Sequence, residues 1–243
     1  MKIAIVGKGG SGKTTTAAVL SHRLAQQGME VVALDCDTNP NLGISLGVGE
    51  DETERLVAMR QALDAADEDG HAQDWDTLLD RFGTEGPEGL KLAVVCRIDN
   101  PDPGCPCCGL SPEQLLGSVD PGASVIVADF EAGLGTLTRL GEVRVDTVVV
   151  VVEAMAKSIE VGTRAARHAA QHSADRVVVV ANRIRGEEDL VAVRRAFPDA
   201  EILVVPEDPA IGEADRNGVA AFAASPGSPA VRALAGLADL VGC

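Results

Sequence analysis

The stretch that decides the fold is MKIAIVGKGGSGKTTT, residues 1–16. Lys2–Val6 is a short aliphatic run of the kind that forms a strand. Lys13–Gln27 carries the spacing of a helix. Between them lies Gly7-Lys8-Gly9-Gly10-Ser11-Gly12-Lys13-Thr14. Glycines at these positions let backbone N–H groups curl around phosphate oxygens without a Cβ in the way. The helix that follows presents the positive end of its dipole to the same anion. In this pattern Lys13 is expected on the β- and γ-phosphates and the Thr14 hydroxyl on magnesium. Gly9, Gly10, Ser11, Gly12 and Thr15 complete the expected phosphate contacts.

Outward from that loop, aliphatic runs recur at Val31–Leu34, Leu90–Val95, Ser124–Ala128, Thr147–Val152, Arg176–Ala181 and Glu201–Val205. Helical patterns rich in Ala, Leu, Arg and Glu separate most of them. Such alternation predicts an α/β fold, a mostly parallel sheet of seven or eight strands with helices on both faces. One domain over residues 1–243 accounts for the length. Two segments interrupt the pattern. An acidic insertion of about residues 49–88 has helical pieces at Glu52–Asp67 and Asp74–Phe82, and is expected to pack over the nucleotide side. A loop of about residues 99–112 holds four prolines and three of the six cysteines.

Aromatic residues are 2% of the chain, so the core must be built from Val, Leu, Ile and Ala. That suits parallel strands buried on both faces. The formal net charge of −16 opposes non-specific binding to a phosphate backbone. No apolar run is long enough to span a membrane. The N-terminus enters a strand at once, which leaves no room for a signal sequence, so a cytoplasmic protein with reduced thiols is expected. In that setting Cys105, Cys107 and Cys108 read as metal or redox ligands, and Cys36 and Cys96 as core residues. His168 and His172, four apart on a helical pattern, are expected on a solvated face.

Lys8, ahead of the paired glycines, resembles the deviant phosphate loop of the MinD, ParA and nitrogenase-iron-protein class of P-loop ATPases. The resemblance implies a homodimer closed by ATP, with Lys8 reaching the partner's nucleotide. Leu34-Asp35-Cys36-Asp37 looks like the first switch of that class. It implies that Asp37 polarises the attacking water near magnesium, with Asp35 a weaker candidate through water. Val125–Asp129 resembles a Walker B strand, with Asp129 behind the magnesium. Asn182 stands where the class reads the adenine edge, and Pro206 and Glu207 where it lines the base. Pro-Glu-Asp-Pro is turn chemistry in any case.

Asp129-Phe130-Glu131-Ala132-Gly133 narrows the resemblance to the CooC-type ATPases, which assist nickel insertion into carbon monoxide dehydrogenase. Asp37–Leu42 and Glu207–Asp215 are similar to that family as well, and Gly104-Cys105-Pro106-Cys107 matches its Cys-x-Cys. Two thiolates from each of two subunits could hold one nickel or zinc. Cys108 departs from that pattern. Cys105 and Cys108 form a Cys-x-x-Cys, as in the iron–sulfur carriers of the Mrp kind, so a bridging [4Fe–4S] cluster stays open. A nitrogenase-like electron donor ranks lower, because residues 130–142 hold no second cysteine. A MinD- or ParA-like spatial organiser needs a basic membrane or DNA face. The tail Ser228–Cys243 offers a single cation, Arg232. Neither a nucleic acid nor a membrane is therefore expected as partner. The expected client is a metalloenzyme.

Overall fold

The structure is a computed structural model. It describes residues 1–56, 79, 83–95, 116–117, 119–131, 143–172 and 174–242. The insertion's segments 57–78 and 80–82, and the cysteine loop, lie outside the described residues.

Eight strands form one sheet: β1 (Lys2–Gly7), β2 (Val31–Cys36), β3 (Gly83–Glu85), β4 (Lys91–Val94), β5 (Val125–Phe130), β6 (Val145–Glu153), β7 (Ala174–Ile184) and β8 (Glu201–Pro206). Their order is β3-β4-β2-β5-β1-β6-β7-β8. Every pairing is parallel except β3 with β4. The mostly parallel sheet expected from the sequence is thus observed. The short β3 corrects one detail: it lies within the insertion expected to be irregular or helical. Gly-Thr-Glu is too short to show a period, and its strand character comes from pairing with Lys91–Ala93.

Side chains alternate between the two faces. Ile3 and Ile5 join one cluster with α1 (Lys13–Gln26), α2 (Leu42–Leu46) and the C-terminal helices α5 (Pro209–Arg216), α6 (Ala221–Ala224), α7 (Pro229–Ala235) and α8 (Leu237–Val241). Ala4 and Val6 join the other, with α3 (Ala156–His172) and α4 (Glu187–Ala196). Val148 to Val152 of β6 are wholly buried. Each such side chain removed from water contributes roughly 1.5–3 kcal/mol, so the aliphatic strands supply what the missing aromatics do not.

Parallel strands deliver their C-terminal ends to one edge of the sheet, and the loops leaving those ends share one rim. Gly7, Cys36, Phe130, Glu153, Ile184 and Pro206 end β1, β2, β5, β6, β7 and β8 there.

Candidate nucleotide site

The phosphate loop fills the rim between β1 and α1. Gly12 is the N-cap of α1, in a left-handed conformation with φ 97°. A Cβ there would also overlap the Asn182 amide nitrogen. Gly7, where β1 turns into the loop, lies against the Val151 carbonyl, and a Cβ would overlap it. Glycine is needed at both points for conformation and for space. Thr16 N–H closes the first turn of α1 on the Gly12 carbonyl at 3.0 Å. The N–H groups ahead of Thr16 have no carbonyl within the helix to bond. Those of Gly12 to Thr15 are donors a phosphate would accept from, while Ser11 N–H donates to the Lys8 carbonyl at 3.1 Å.

Lys13 is buried, 6% exposed, beside Thr14. The Thr14 hydroxyl hydrogen-bonds the Asp129 carboxylate. Asp129, next to last in β5, is 1% exposed, and its Oδ1 has no hydrogen-bond partner. Burial raises the Asp129 carboxyl to about 6, partly offset by the Thr14 hydroxyl and the Lys13 ammonium. A buried, underused carboxylate oxygen next to a threonine hydroxyl suits a hard cation such as magnesium, which takes oxygen ligands. The Ser11 hydroxyl is likewise buried without a partner.

Asp35 pairs in register with Asp129 across β2 and β5. Burial first, and the Asp129 charge second, push its carboxyl up to about 8. Its two oxygens accept the backbone N–H groups of Asp37 (3.2 Å) and Leu42 (2.8 Å). Asp35 therefore fastens both ends of the 37–42 loop. Asp37 itself is half-buried, and its Oδ1 accepts the Asn39 N–H at 2.9 Å. Its charge reaches Asp129 and raises that carboxyl further.

Two clefts meet at the loop. One, of about 610 Å³, is lined by Gly12, Thr15, Asn182, Pro206, Glu207 and Arg216 among others. The second, of about 700 Å³, is lined by Lys13, Thr14, Asn41, Ser45, Glu50 and Arg183 among others. Asn182, Pro206 and Glu207 thus line one cleft together. Asp208 has turned to architecture. It caps α5 by accepting the Ala210 N–H (3.0 Å) and ties in α7 by accepting the Ala230 N–H (3.1 Å).

Sequence reasoning missed what Asn182 and Arg183 do together. The Asn182 amide donates to the Ser11 carbonyl at 2.7 Å. Arg183 Nη1 donates to the Gly10 carbonyl at 3.1 Å and to Glu153 Oε1 at 2.7 Å. Arg183 holds φ 55°, a conformation that costs a non-glycine residue on the order of 1–2 kcal/mol. Its own N–H donates to Asn182 Oδ1 at 3.0 Å, which helps hold it there. An Asn-Arg pair at a strand end was the signal available.

Lys8 is half-buried, and its ammonium donates to the adjacent Gly9 carbonyl at 3.3 Å. Cys36 is buried, as expected. Cys96, Cys105, Cys107 and Cys108 lie outside the described residues. The solvated face expected for the two histidines holds for His172, which is exposed. His168 is half-buried, and its Nε2 is buried without a partner. Among the described residues no helix is long and apolar enough to cross a membrane.

A glycine loop between a central strand of a mostly parallel sheet and a helix, with a buried lysine and a buried carboxylate near the end of the neighbouring strand, defines a P-loop nucleotide-binding fold. The chain belongs to the CobQ/CobB/MinD/ParA nucleotide-binding domain family, matched over residues 2–221, and it is a P-loop ATPase. It is 26% identical over 244 residues to the carbon monoxide dehydrogenase accessory protein CooC of Rhodospirillum rubrum, covering 93% of this chain and 91% of that one. It is 31% identical over 157 residues to an iron-sulfur cluster carrier protein of Pyrococcus horikoshii, covering 62% of this chain and 50% of that one. Its fold superposes on the septum site-determining protein MinD of Pyrococcus horikoshii, solved with Mg-ADP, with a TM-score of 0.70 at 23% identity, covering 99% of this chain and 95% of that one.

Proposed function

We propose that this ATPase is a metallochaperone: it binds nickel between two subunits and delivers it to carbon monoxide dehydrogenase or a related metalloenzyme. The observation that carries this reading is the likeness to a carbon monoxide dehydrogenase accessory protein over 93% of the chain. The Cys105-Pro106-Cys107 sequence supports it, because thiolates from two subunits make a soft four-ligand set.

Lys13 and the N–H groups of residues 12–15 hold the phosphates. Thr14 and Asp129, with Asp37, hold magnesium, which when bound neutralises charge on the transferred phosphoryl group. Asp37 orients the attacking water. Asn182, Pro206 and Glu207 border the adenine. Lys8 reaches the nucleotide of the second subunit, so ATP closes the dimer and brings the two cysteine loops together. Hydrolysis opens it and releases the metal, because the two states offer different contacts. The whole chain acts as one domain in this reading, in the cytoplasm.

A second reading is an iron–sulfur carrier. The likeness to such a carrier favours it, as does the Cys105–Cys108 spacing. Metal analysis of anaerobically purified protein with an ATP analogue separates the two. The nickel reading expects about one nickel per dimer, lost in the Cys105→Ser, Cys107→Ser double variant. About four irons with matching sulfide would replace it with the carrier reading. No metal under either condition sinks both and leaves the ATPase.

A further inference from the structure

Arg183 stands outside every role given to the site above, yet it touches the phosphate loop. Arg183 lines both clefts. One nitrogen, Nη1, donates at once to the Gly10 carbonyl and the Glu153 carboxylate. Glu153 is a firm post. It closes β6, lies in register with Asn182 across β6 and β7, and its backbone N–H donates to the buried Ser158 hydroxyl at 3.0 Å.

Gly10 needs such support. It is exposed, left-handed at φ 78°, and apart from its chain neighbours no atom of the described residues lies within 4 Å of where its Cβ would stand. The peptide that follows it is held at its two ends by hydrogen bonds: Ser11 N–H donates to the Lys8 carbonyl at 3.1 Å, and Arg183 holds the Gly10 carbonyl. The next peptide is fixed by Asn182, whose amide holds the Ser11 carbonyl. A trans peptide points its N–H opposite its C=O. Holding the Ser11 carbonyl therefore also fixes the direction of the Gly12 N–H. Asn182 and Arg183 thus pull on consecutive carbonyls of the loop from the end of one strand. The left-handed backbone at Arg183 lets neighbours reach both, by breaking the strand's alternation between them.

We propose that Arg183 is a positioning residue for nucleotide binding: anchored on Glu153, it holds the Gly10 carbonyl and sets the phosphate loop before the nucleotide arrives. The gain is in affinity, since a loop already shaped loses less freedom on binding. ATP and ADP benefit alike, because the brace does not depend on the γ-phosphate. The inference rests on the nucleotide-site reading of residues 9–15.

The test is a double-mutant cycle on nucleotide affinity and turnover. Arg183→Gly removes the guanidinium while keeping a backbone at ease with φ 55°. Glu153→Gln leaves the arginine but removes its charged anchor. Each is expected to raise Kd for ATP and for ADP about tenfold, the scale of one hydrogen bond to a charged group. The double variant should be no weaker than the worse single by more than about twofold, since both act through one contact. At saturating ATP, kcat should stay within about threefold of the parent, and the unfolding midpoint without nucleotide should hold. Arg183→Lys should fall between parent and Arg183→Gly.

Parental affinity in either single variant overturns the proposal, as do losses that simply add. A kcat that falls with an unchanged Kd does so too. Lys13→Ala tests the underlying reading: if that variant still binds nucleotide as the parent does, the site is elsewhere and the brace falls with it. If Lys13→Ala abolishes binding while Arg183→Gly matches the parent, the site stands and the brace alone is wrong.

Discussion

Asp35 and Asp129 are carboxylates on adjoining strands, both buried and both raised. The folded chain keeps their protons to about pH 8 and about pH 6, where an unfolded chain would have released them near 4. Protons bound in excess by the folded state mean that stability falls as pH rises. Without nucleotide or magnesium, resistance to urea should therefore decline between about pH 4 and pH 8. Asp129→Asn cannot ionise at that position, so its decline should be shallower. Equal slopes in the two proteins would show that Asp129 stays ionised in the fold. At this scale the phosphate loop was legible, because its glycines and lysine are the motif itself. The Arg183 brace was not: its acceptor is a backbone carbonyl 173 residues away, and carbonyls look alike in every sequence.

Among the elements, α3 lies against the sheet through a glycine. A Cβ on Gly162 would overlap the Val152 side chain and approach the Phe197 ring to 3.2 Å. Gly162→Ala should cost about 1–3 kcal/mol of stability by overpacking, read as a lower urea midpoint, with the KM for ATP unchanged. A shift in KM instead would tie α3 to the site. The strands were legible from their aliphatic runs, but their ends were set short. Glu153, Asn182 and Arg183 remain in strand, beyond the aliphatic runs Thr147–Val152 and Arg176–Ala181. Polar residues that serve the rim hide the strand ends from a hydrophobic pattern. β3 left no such trace, being held by its neighbour.

For the whole molecule, the charge of −16 argues for assembly through a few chosen contacts, since two copies repel at a distance. Lys8 supplies one such contact in the proposed dimer. Lys8→Ala should sediment as a monomer with an ATP analogue and magnesium, where the parent sediments as a dimer. An unchanged dimer would remove Lys8 from the interface. Both proteins should be monomeric with ADP.

The rims of the sheet carry a further consequence. At one side stands β3, three residues long and antiparallel. At the other is β8, which opens on Glu201, ion-paired to Arg176, and closes on Pro206. Short strands, charge and proline are how a sheet refuses to recruit another strand. Among the described residues, neither edge offers a long strand for the open-ended, head-to-tail growth that ends in fibres. In the proposed dimer, copies meet through the nucleotide-bearing end, away from both of these edges.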